Sequence, residues 1–334
     1  MKTSRCVPVL SGALAALLLL SSCGATTAGT QTAEPAAQTA AEPTEDITSE
    51  TMELTEEEVP LAEAPISTML LPEASGTKTQ KNQKAVIDYS NTSDGYVMVK
   101  YTASTTKRLK VLVKGPTTTY TYNLQADNAW DTYPLSDGNG SYSISIYENV
   151  SGTKYAGVLS QTVSVKLKDE FAPFLRPNQY VDYENAPNTV ALAASLTADK
   201  TDTLEKVQAV YEYVVRNLTY DKKLAATVKN GYLPVLDTVL AQKTGICFDY
   251  AALMAVMLRS QGIPCKLVVG YAGSAYHAWI NVWTEEDGWV DGVIYFDGTS
   301  WQRMDPTYAS SGKESASIMK YIGDGKNYSA KYLY

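Results

Sequence analysis

The distribution of apolar and polar residues divides the chain into four segments. An apolar run at residues 7–20 follows a basic start, and residues 24–80 show no regular hydrophobic period. Residues 81–168 contain stretches in which apolar and polar residues alternate, whereas residues 169–334 contain stretches of helical period. The pattern therefore predicts a leader at 1–23, a disordered tether at 24–80, an all-β domain at 81–168 and an α+β domain at 169–334.

The segment 81–168 has the pattern of short strands with one buried face. The alternating stretches lie at residues 96–101, 108–113, 120–124, 142–147 and 162–167, with turn residues between them. About seven short strands at this spacing favour a small immunoglobulin-like β-sandwich. Exposed tyrosines and tryptophan such as Tyr120, Tyr122 and Trp130 could contact a polysaccharide or peptide, but core and strand-pair roles are favoured.

The segment 169–334 begins with helical patterns. Apolar residues recur at helical spacing over residues 204–218, after an N-cap candidate at Asp202. A second, shorter helix is predicted at residues 233–242. Residues 247–261 are apolar on nearly all faces, which indicates a buried central helix that stops before Gly262 and Pro264.

Element lengths predict where this central helix lies relative to the strands that follow. About fourteen helical steps carry the chain roughly 20 Å away from Cys247. A return strand at residues 266–271 covers about the same distance, so His277 opens the next strand at the level of Cys247. An antiparallel pairing of residues 298–305 with this strand brings Asp305 to the same level.

Charge is concentrated in the tether and argues against one class of partner. The formal net charge of the chain is −8, and residues 24–80 carry eleven acids against Lys78. Residues 81–334 therefore sum to zero and contain no basic run of note. Because binding to a phosphate backbone needs such a patch, we expect no nucleic-acid partner.

The first 23 residues have the features of an export signal. Lys2 and Arg5 precede an apolar stretch that is too short for an ordinary transmembrane helix. The stretch ends in the sequence LSSCG at residues 20–24, which resembles the bacterial lipobox. This resemblance implies lipidation of Cys23 and anchorage of the protein to the outside of the bacterial cell membrane.

The predicted meeting of a thiol, an imidazole and a carboxylate suits acyl transfer. The thiolate of a cysteine at a helix N-terminus is favoured by unpaired backbone N–H groups and by the helix dipole. His277, the one histidine of the chain, can take the proton of Cys247 and later donate it to a leaving amine. Asp305 can orient the imidazole through its second nitrogen.

The same residues carry a resemblance to a known family. The motifs are GICFDYA at 245–251, LR at 258–259, GIP at 262–264, GY at 270–271, HAW at 277–279 and DPT at 305–307. Their order and spacing resemble the core of the bacterial transglutaminase-like superfamily, which has a papain-like fold. The resemblance, extending over residues 199–308, implies Cys247 as nucleophile, His277 as base and Asp305 as orienting acid, and it implies no cofactor.

Several residues near these motifs have a competing interpretation. Asp297 is an alternative third acid, although a turn role is favoured for it. Asp249, Tyr271 and Trp279 are candidates for substrate contact or for support of the catalytic residues. Cys265 is expected to be buried and inert, too far from Cys247 for a disulfide or a shared metal. We expect no metal site.

These observations predict a cell-surface cysteine enzyme. Its substrate would be a peptide or protein amide at the cell surface, with cell-wall peptide as one candidate, and the protein would act as a monomer. Residues 233–246 lack the tryptophan that precedes the cysteine in animal cross-linking members, which favours hydrolysis over transfer to an amine. The alternative is a non-catalytic cell-surface binding module that retains the fold.

Overall fold

A computed structural model of the protein describes residues 69–285, 288–291, 294–296, 301–303, 307 and 327–334. The predicted signal peptide, Cys23 and most of the predicted tether lie outside these residues, as do Asp297 and Asp305. In the described part of the chain, no helix is long and apolar enough to cross a membrane.

The N-terminal part of the described chain is built from antiparallel strands. They are β1 (Thr79–Lys81), β2 (Ala85–Asp88), β3 (Tyr96–Tyr101), β4 (Leu109–Lys114), β5 (Thr119–Leu124), β6 (Asp131–Pro134), β7 (Gly140–Ser151) and β8 (Lys154–Val165). One sheet has the order β1-β2-β3-β6 and the other has the order β5-β4-β7-β8. The all-β class predicted for this segment is correct, and the immunoglobulin-like topology stays a prediction.

Alternation along β5 shows why these residues form a half-buried strand. Tyr120, Tyr122 and Leu124 are buried, whereas Thr119 and Thr121 on the opposite face are exposed. The two tyrosines therefore belong to the core, which confirms the role favoured for them, and the alternative of an exposed binding surface is wrong.

Residues 69–78, at the end of the predicted tether, contact the folded part of the chain. The backbone N–H of Glu73 donates to the Tyr96 hydroxyl at 3.1 Å, and that of Gly76 donates to the Asp88 carboxylate at 2.7 Å. The Tyr183 hydroxyl donates to the carbonyl of Leu70 at 2.8 Å. This stretch is thus joined by hydrogen bonds both to the β-sandwich and to the connection that follows it.

The C-terminal part combines helices with a second antiparallel sheet. The helices are α1 (Pro187–Thr197), α2 (Thr203–Asn217), α3 (Lys222–Thr227), α4 (Leu236–Gln242) and α5 (Cys247–Ser260). Asp202 caps α2 as predicted, accepting from the N–H groups of Leu204 and Glu205 at 2.7 and 3.3 Å. Every residue of α5 from Asp249 to Ser260 is buried, which confirms the predicted central helix.

The remaining strands complete this part of the fold. They are β9 (Thr219–Tyr220), β10 (Thr244–Gly245), β11 (Cys265–Ala272), β12 (Ala275–Thr284), β13 (Gly288–Val290), β14 (Ile294–Phe296), β15 (Trp301–Arg303) and β16 (Tyr328–Leu333). The main sheet has the order β13-β12-β11-β16, with all neighbours antiparallel, and α5 packs against β11 and β12. The predicted α+β class, with a cysteine-bearing helix against an antiparallel sheet, is confirmed.

The strand pairing predicted for residues 298–305 differs from the structure. Residues 301–303 form β15, which pairs with β14, and the outer end of β12 pairs with β13 instead. Aromatic packing favours the pairing of β12 with β13. Trp289 of β13 lies opposite Trp283 of β12, and both rings pack on Phe171. The predicted register that brings Asp305 level with His277 therefore does not hold for residues 301–303.

The C-terminal end of α5 is fixed by one buried cation. Arg259 is fully buried and donates to the carbonyls of Cys265 at 2.9 Å, Arg176 at 2.6 Å and Tyr334 at 2.7 Å. Burial lowers the pKa of its guanidinium to about 10, so the group stays charged at neutral pH. One side chain thus ties α5 to the sheet and to the connection before α1.

Candidate active site

Cys247 is the first residue of α5 and is only partly buried. Ile246 before it is extended, with φ −97° and ψ 175°, so the helix starts abruptly at the cysteine. The first N–H groups of a helix have no partner within it, and the N-terminal end carries the positive pole of the helix dipole. The Cys247 thiol therefore lies where negative charge is stabilised.

Asp249 holds the start of the helix in place. Its fully buried carboxylate accepts from the Ile246 N–H at 2.8 Å and from the Tyr232 hydroxyl at 2.8 Å. Burial raises the pKa of Asp249, and these two donors oppose the rise. Gly245 is required beside it, because a Cβ there would lie 2.7 Å from the Asp249 Cβ.

His277 lies near the start of β12, opposite Gly270 of β11. His277 is 6% exposed, and its ring centroid lies 6.2 Å from that of Trp279 and 6.3 Å from that of Tyr328, two rings that also contact each other. Gly270 makes this packing possible, since a Cβ there would overlap the carbonyl of Ser329 and lie 2.9 Å from the Trp279 ring. The sheet thereby restricts how the imidazole can turn.

Packing of α5 on the sheet places Cys247 and His277 at the same end of the domain. The other end of α5 contacts the start of β11 through the bond from Arg259 to the Cys265 carbonyl. At the near end, Tyr276 adjoins His277, and the pKa of its hydroxyl is raised mainly by burial and further by its neighbours Tyr332, Tyr271 and Cys247. Cys247 thus lies close to the beginning of β12, in agreement with the element lengths.

Two tyrosines stand exposed beside this end of the sheet. Tyr271 is 40% and Tyr276 is 61% exposed, and their rings meet edge to face at 5.5 Å. Tyr271 is among the predicted substrate contacts. Tyr276 is not among them, although its position directly before His277 could have identified it from the sequence. Trp279, a candidate for substrate contact or for support of the catalytic residues, is 4% exposed and packs against His277, which agrees with the supporting role.

The structure separates the second cysteine from this site. Cys265 is fully buried at the far end of α5, and burial raises the pKa of its thiol to about 12. Cys247 and Cys265 are both free thiols. No cluster of three or more histidine, cysteine or acidic residues suited to a metal occurs within the described residues.

The third predicted member of the site, Asp305, and its alternative, Asp297, lie outside the described residues. Sequence reasoning also misses β16, whose Tyr328 contacts both His277 and Trp279. The alternation of aromatic and small or polar residues at 328–333 is the signal that could have found it.

Part of the chain is similar to known proteins. A family model described as transglutaminase-like superfamily matches residues 190–292. The uncharacterized protein YebA of Bacillus subtilis is 29% identical over 153 residues, which cover 40% of this chain and 21% of YebA. A protein-glutamine gamma-glutamyltransferase of Pseudomonas aeruginosa is 32% identical over 103 residues, covering 27% of this chain and 13% of that enzyme.

A relative named as a peptidase is also similar to part of this chain. Kyphoscoliosis peptidase of Mus musculus is 29% identical over 121 residues, covering 36% of this chain and 18% of the peptidase. The chain thus matches about a fifth or less of the length of each of these three relatives. The region matched by the transglutaminase-like superfamily model, residues 190–292, contains both Cys247 and His277.

Proposed function

We propose that this protein is a cysteine enzyme that forms a thioester between Cys247 and the acyl group of a peptide or protein amide. The observation that carries the proposal is the position of Cys247 at the start of a buried helix, close to the end of β12 at which Tyr276 and His277 lie. The match to the transglutaminase-like family model supports this proposal, because the matched residues 190–292 include both Cys247 and His277.

In the first half of the proposed reaction, His277 takes the proton of the Cys247 thiol. The sulfur attacks the amide carbonyl, a carbon–sulfur bond forms, and the oxyanion is stabilised by backbone N–H groups at the start of α5. The carbon–nitrogen bond then breaks as His277 gives its proton to the leaving amine. Asp305 is proposed to hold the second imidazole nitrogen and thereby to fix the tautomer.

In the second half, an acceptor attacks the thioester. His277 removes a proton from the acceptor, the carbon–sulfur bond breaks, and the Cys247 thiol is restored. Water as acceptor gives a peptidase or amidase, and a primary amine gives a transferase. The similarity to both a glutamyltransferase and a peptidase is consistent with this shared first half. We propose hydrolysis as the main outcome, on the missing tryptophan noted before Cys247.

The experiment is to incubate the full chain with libraries of surface peptides and to quench with acid. We expect a mass increase on the peptide containing Cys247, and none in a Cys247→Ala variant. Adding a primary amine measures how the thioester divides between water and amine. Absence of both adduct and product, in a chain that binds the same peptides, would favour the non-catalytic binding module.

We further propose that lipid on Cys23 holds the enzyme at the outer face of the bacterial membrane, with residues 24–68 as the spacer. The support is the lipobox-like sequence and the acidic, aromatic-poor composition of that spacer. Cys23→Ala should move the protein from the membrane to the soluble fraction while its turnover is unchanged. Membrane retention of the variant would contradict the anchor and leave the catalytic proposal intact.

A further inference from the structure

Six tyrosines form one aromatic cluster between the β-sandwich and the catalytic domain, here called the tyrosine cluster. Its members are Tyr120, Tyr122, Tyr133, Tyr180, Tyr332 and Tyr334. Tyr122 of β5 is central, because its ring lies 4.9 Å from Tyr133, 5.9 Å from Tyr180 and 5.9 Å from Tyr334, measured between centroids. The sandwich and the catalytic domain therefore share one continuous core.

The tyrosine cluster reaches the nucleophile by one further contact. Tyr180 stacks on Tyr122 with the planes 24° apart, and it also meets the ring of Phe248 edge to face at 5.4 Å. Phe248 directly follows Cys247 in the first turn of α5. A shift of Tyr122 would therefore be passed through two ring contacts to the residue beside the thiol.

The same cluster supports the strand that carries the base. Tyr332 lies in β16 opposite Val269 of β11, and Tyr334 exchanges backbone hydrogen bonds with Leu267 at 2.7 and 2.8 Å. Within this sheet Gly270 of β11 pairs with Ala330 on one side and with His277 on the other. The start of α5, which carries Cys247, and the sheet that carries His277 thus both pack on tyrosine rings that contact β5.

A second contact from β5 reaches the helix start by another route. The Gln179 side-chain amide donates to the Asn123 carbonyl at 2.7 Å. Gly231 approaches the Asn123 side chain so closely that a Cβ would lie 2.5 Å from its amide nitrogen. The next residue, Tyr232, donates to Asp249, which in turn holds the backbone N–H before Cys247.

From these two routes we propose that the β-sandwich is a positioning element of the catalytic site, with Tyr122 as its central residue. The sandwich is then part of the enzyme and does not merely separate it from the membrane. This inference rests on the proposed function, since it concerns the placement of Cys247 and His277. Tyr122 acts through Tyr180 and Phe248 and touches neither reacting group.

The ring of Tyr122, and not its hydroxyl, should carry this role. The hydroxyl is buried and forms a hydrogen bond with none of the described residues. Phenylalanine at this position keeps every ring contact, whereas leucine removes the stacking on Tyr180. Tyr101 of β3 provides a matched control, because it is an equally buried sandwich tyrosine whose hydroxyl bonds to Glu148, within the sandwich.

The experiment compares Tyr122→Leu, Tyr122→Phe and Tyr101→Leu in the full chain. For each we measure the rate of Cys247 alkylation by iodoacetamide between pH 6 and 9, the melting temperature, and kcat and KM separately. Tyr122→Leu should lower the alkylation rate and kcat by about tenfold or more, because small displacements of reacting groups have large kinetic effects. Tyr122→Phe and Tyr101→Leu should stay within about twofold of the wild type.

Two results would overturn the inference. One is an unchanged alkylation profile and kcat in a folded Tyr122→Leu variant, and the other is an equal loss in Tyr101→Leu at a similar melting temperature. If Tyr122→Leu does not fold, Tyr180→Leu decides, since Tyr180 is half-buried and lies outside the sandwich. Failure of the wild type to be alkylated faster at Cys247 than at Cys265 would instead count against the proposed function.

Discussion

The two ends of α5 present a cysteine in opposite surroundings. At the N-terminal end Cys247 is half-buried and lies beside the exposed Tyr276. At the C-terminal end the fully buried Arg259 contacts the backbone of Cys265, which has no exposed surface either. Burial raises the pKa of the Cys265 thiol to about 12, and the Arg259 charge only partly opposes this effect.

The difference teaches how one helix can serve both stability and chemistry. Its closed end is held by three hydrogen bonds from a single guanidinium, and its middle is buried on all sides. The open end can therefore leave backbone N–H groups and a thiol accessible without loss of the helix. A cysteine becomes a candidate nucleophile through its place on the helix and its exposure, and residue type alone does not decide it.

The closed end can be broken by removing its cation. Arg259→Ala takes a donor away from three carbonyls, each at a cost of at least about 1 kcal/mol, so we expect a loss of about 3 kcal/mol or more in the free energy of unfolding. Urea denaturation measures it. Arg216→Ala is the matched control, because that arginine is 75% exposed and its ion pair is with Glu212 on the same helix, so its loss should be below about 0.5 kcal/mol. Equal losses in the two variants would contradict this account of the closed end.

The contrast between the two thiols predicts a large difference in labelling. With a pKa of about 12 and no exposure, Cys265 should be alkylated slowly, and we expect Cys247 to react about 10³-fold faster at pH 8. Mass spectrometry of peptides after timed iodoacetamide treatment gives both rates. His277→Ala should slow Cys247 and leave Cys265 unchanged. Comparable alkylation rates for Cys247 and Cys265 in the folded chain would contradict the proposed difference between the two ends of α5.

Much of this arrangement follows from the sequence, for reasons that differ between residues. The helix at Cys247 and the strand at His277 are predictable because their burial patterns are local and their lengths fix where the chain returns. The pairing of β13 with β12 is not, because it depends on Trp283 and Trp289 packing against the distant Phe171. The burial of Tyr122 between domains is likewise decided by partners far along the chain, such as Tyr180 and Tyr334.

The proposed reaction uses an acid to orient the imidazole of His277, and two candidates for it can be distinguished by experiment. Asp305→Asn should lower kcat by a factor on the order of 10² to 10⁴, since the amide favours the wrong tautomer of His277. Asp297→Asn should change kcat by less than about tenfold if Asp297 only shapes a turn. Steady-state kinetics measures kcat, and equal melting temperatures would show that neither variant loses activity through unfolding. An inactive Asp297→Asn with an active Asp305→Asn would reverse the assignment.

The smallest effect concerns the buried charge at the open end. Because burial raises the pKa of Asp249 above its unfolded value, the folded state binds the proton more tightly, and its stability falls as the pH rises through that interval. An asparagine side chain at this position cannot ionise, and its amide can still accept from the Ile246 N–H and donate to the Tyr232 hydroxyl. Asp249→Asn should therefore raise the free energy of unfolding at pH 7 by about 1 kcal/mol or less.

The sign of this effect gives a sharp test against pH. The advantage of Asp249→Asn over the wild type should shrink as the pH falls towards about 4 and be lost below it, where the carboxyl of the wild type is protonated in both states. Asp249→Ala, which loses both hydrogen bonds, should instead be less stable by about 2 kcal/mol. Urea denaturation of the three proteins across pH 3–8 gives the curves. The opposite outcome is an Asp249→Asn variant that is less stable than the wild type at pH 7, with the difference disappearing in acid. It would mean that the folded state stabilises the ionised carboxylate of Asp249. The open end of α5 would then favour this negative charge, as it is proposed to favour the Cys247 thiolate.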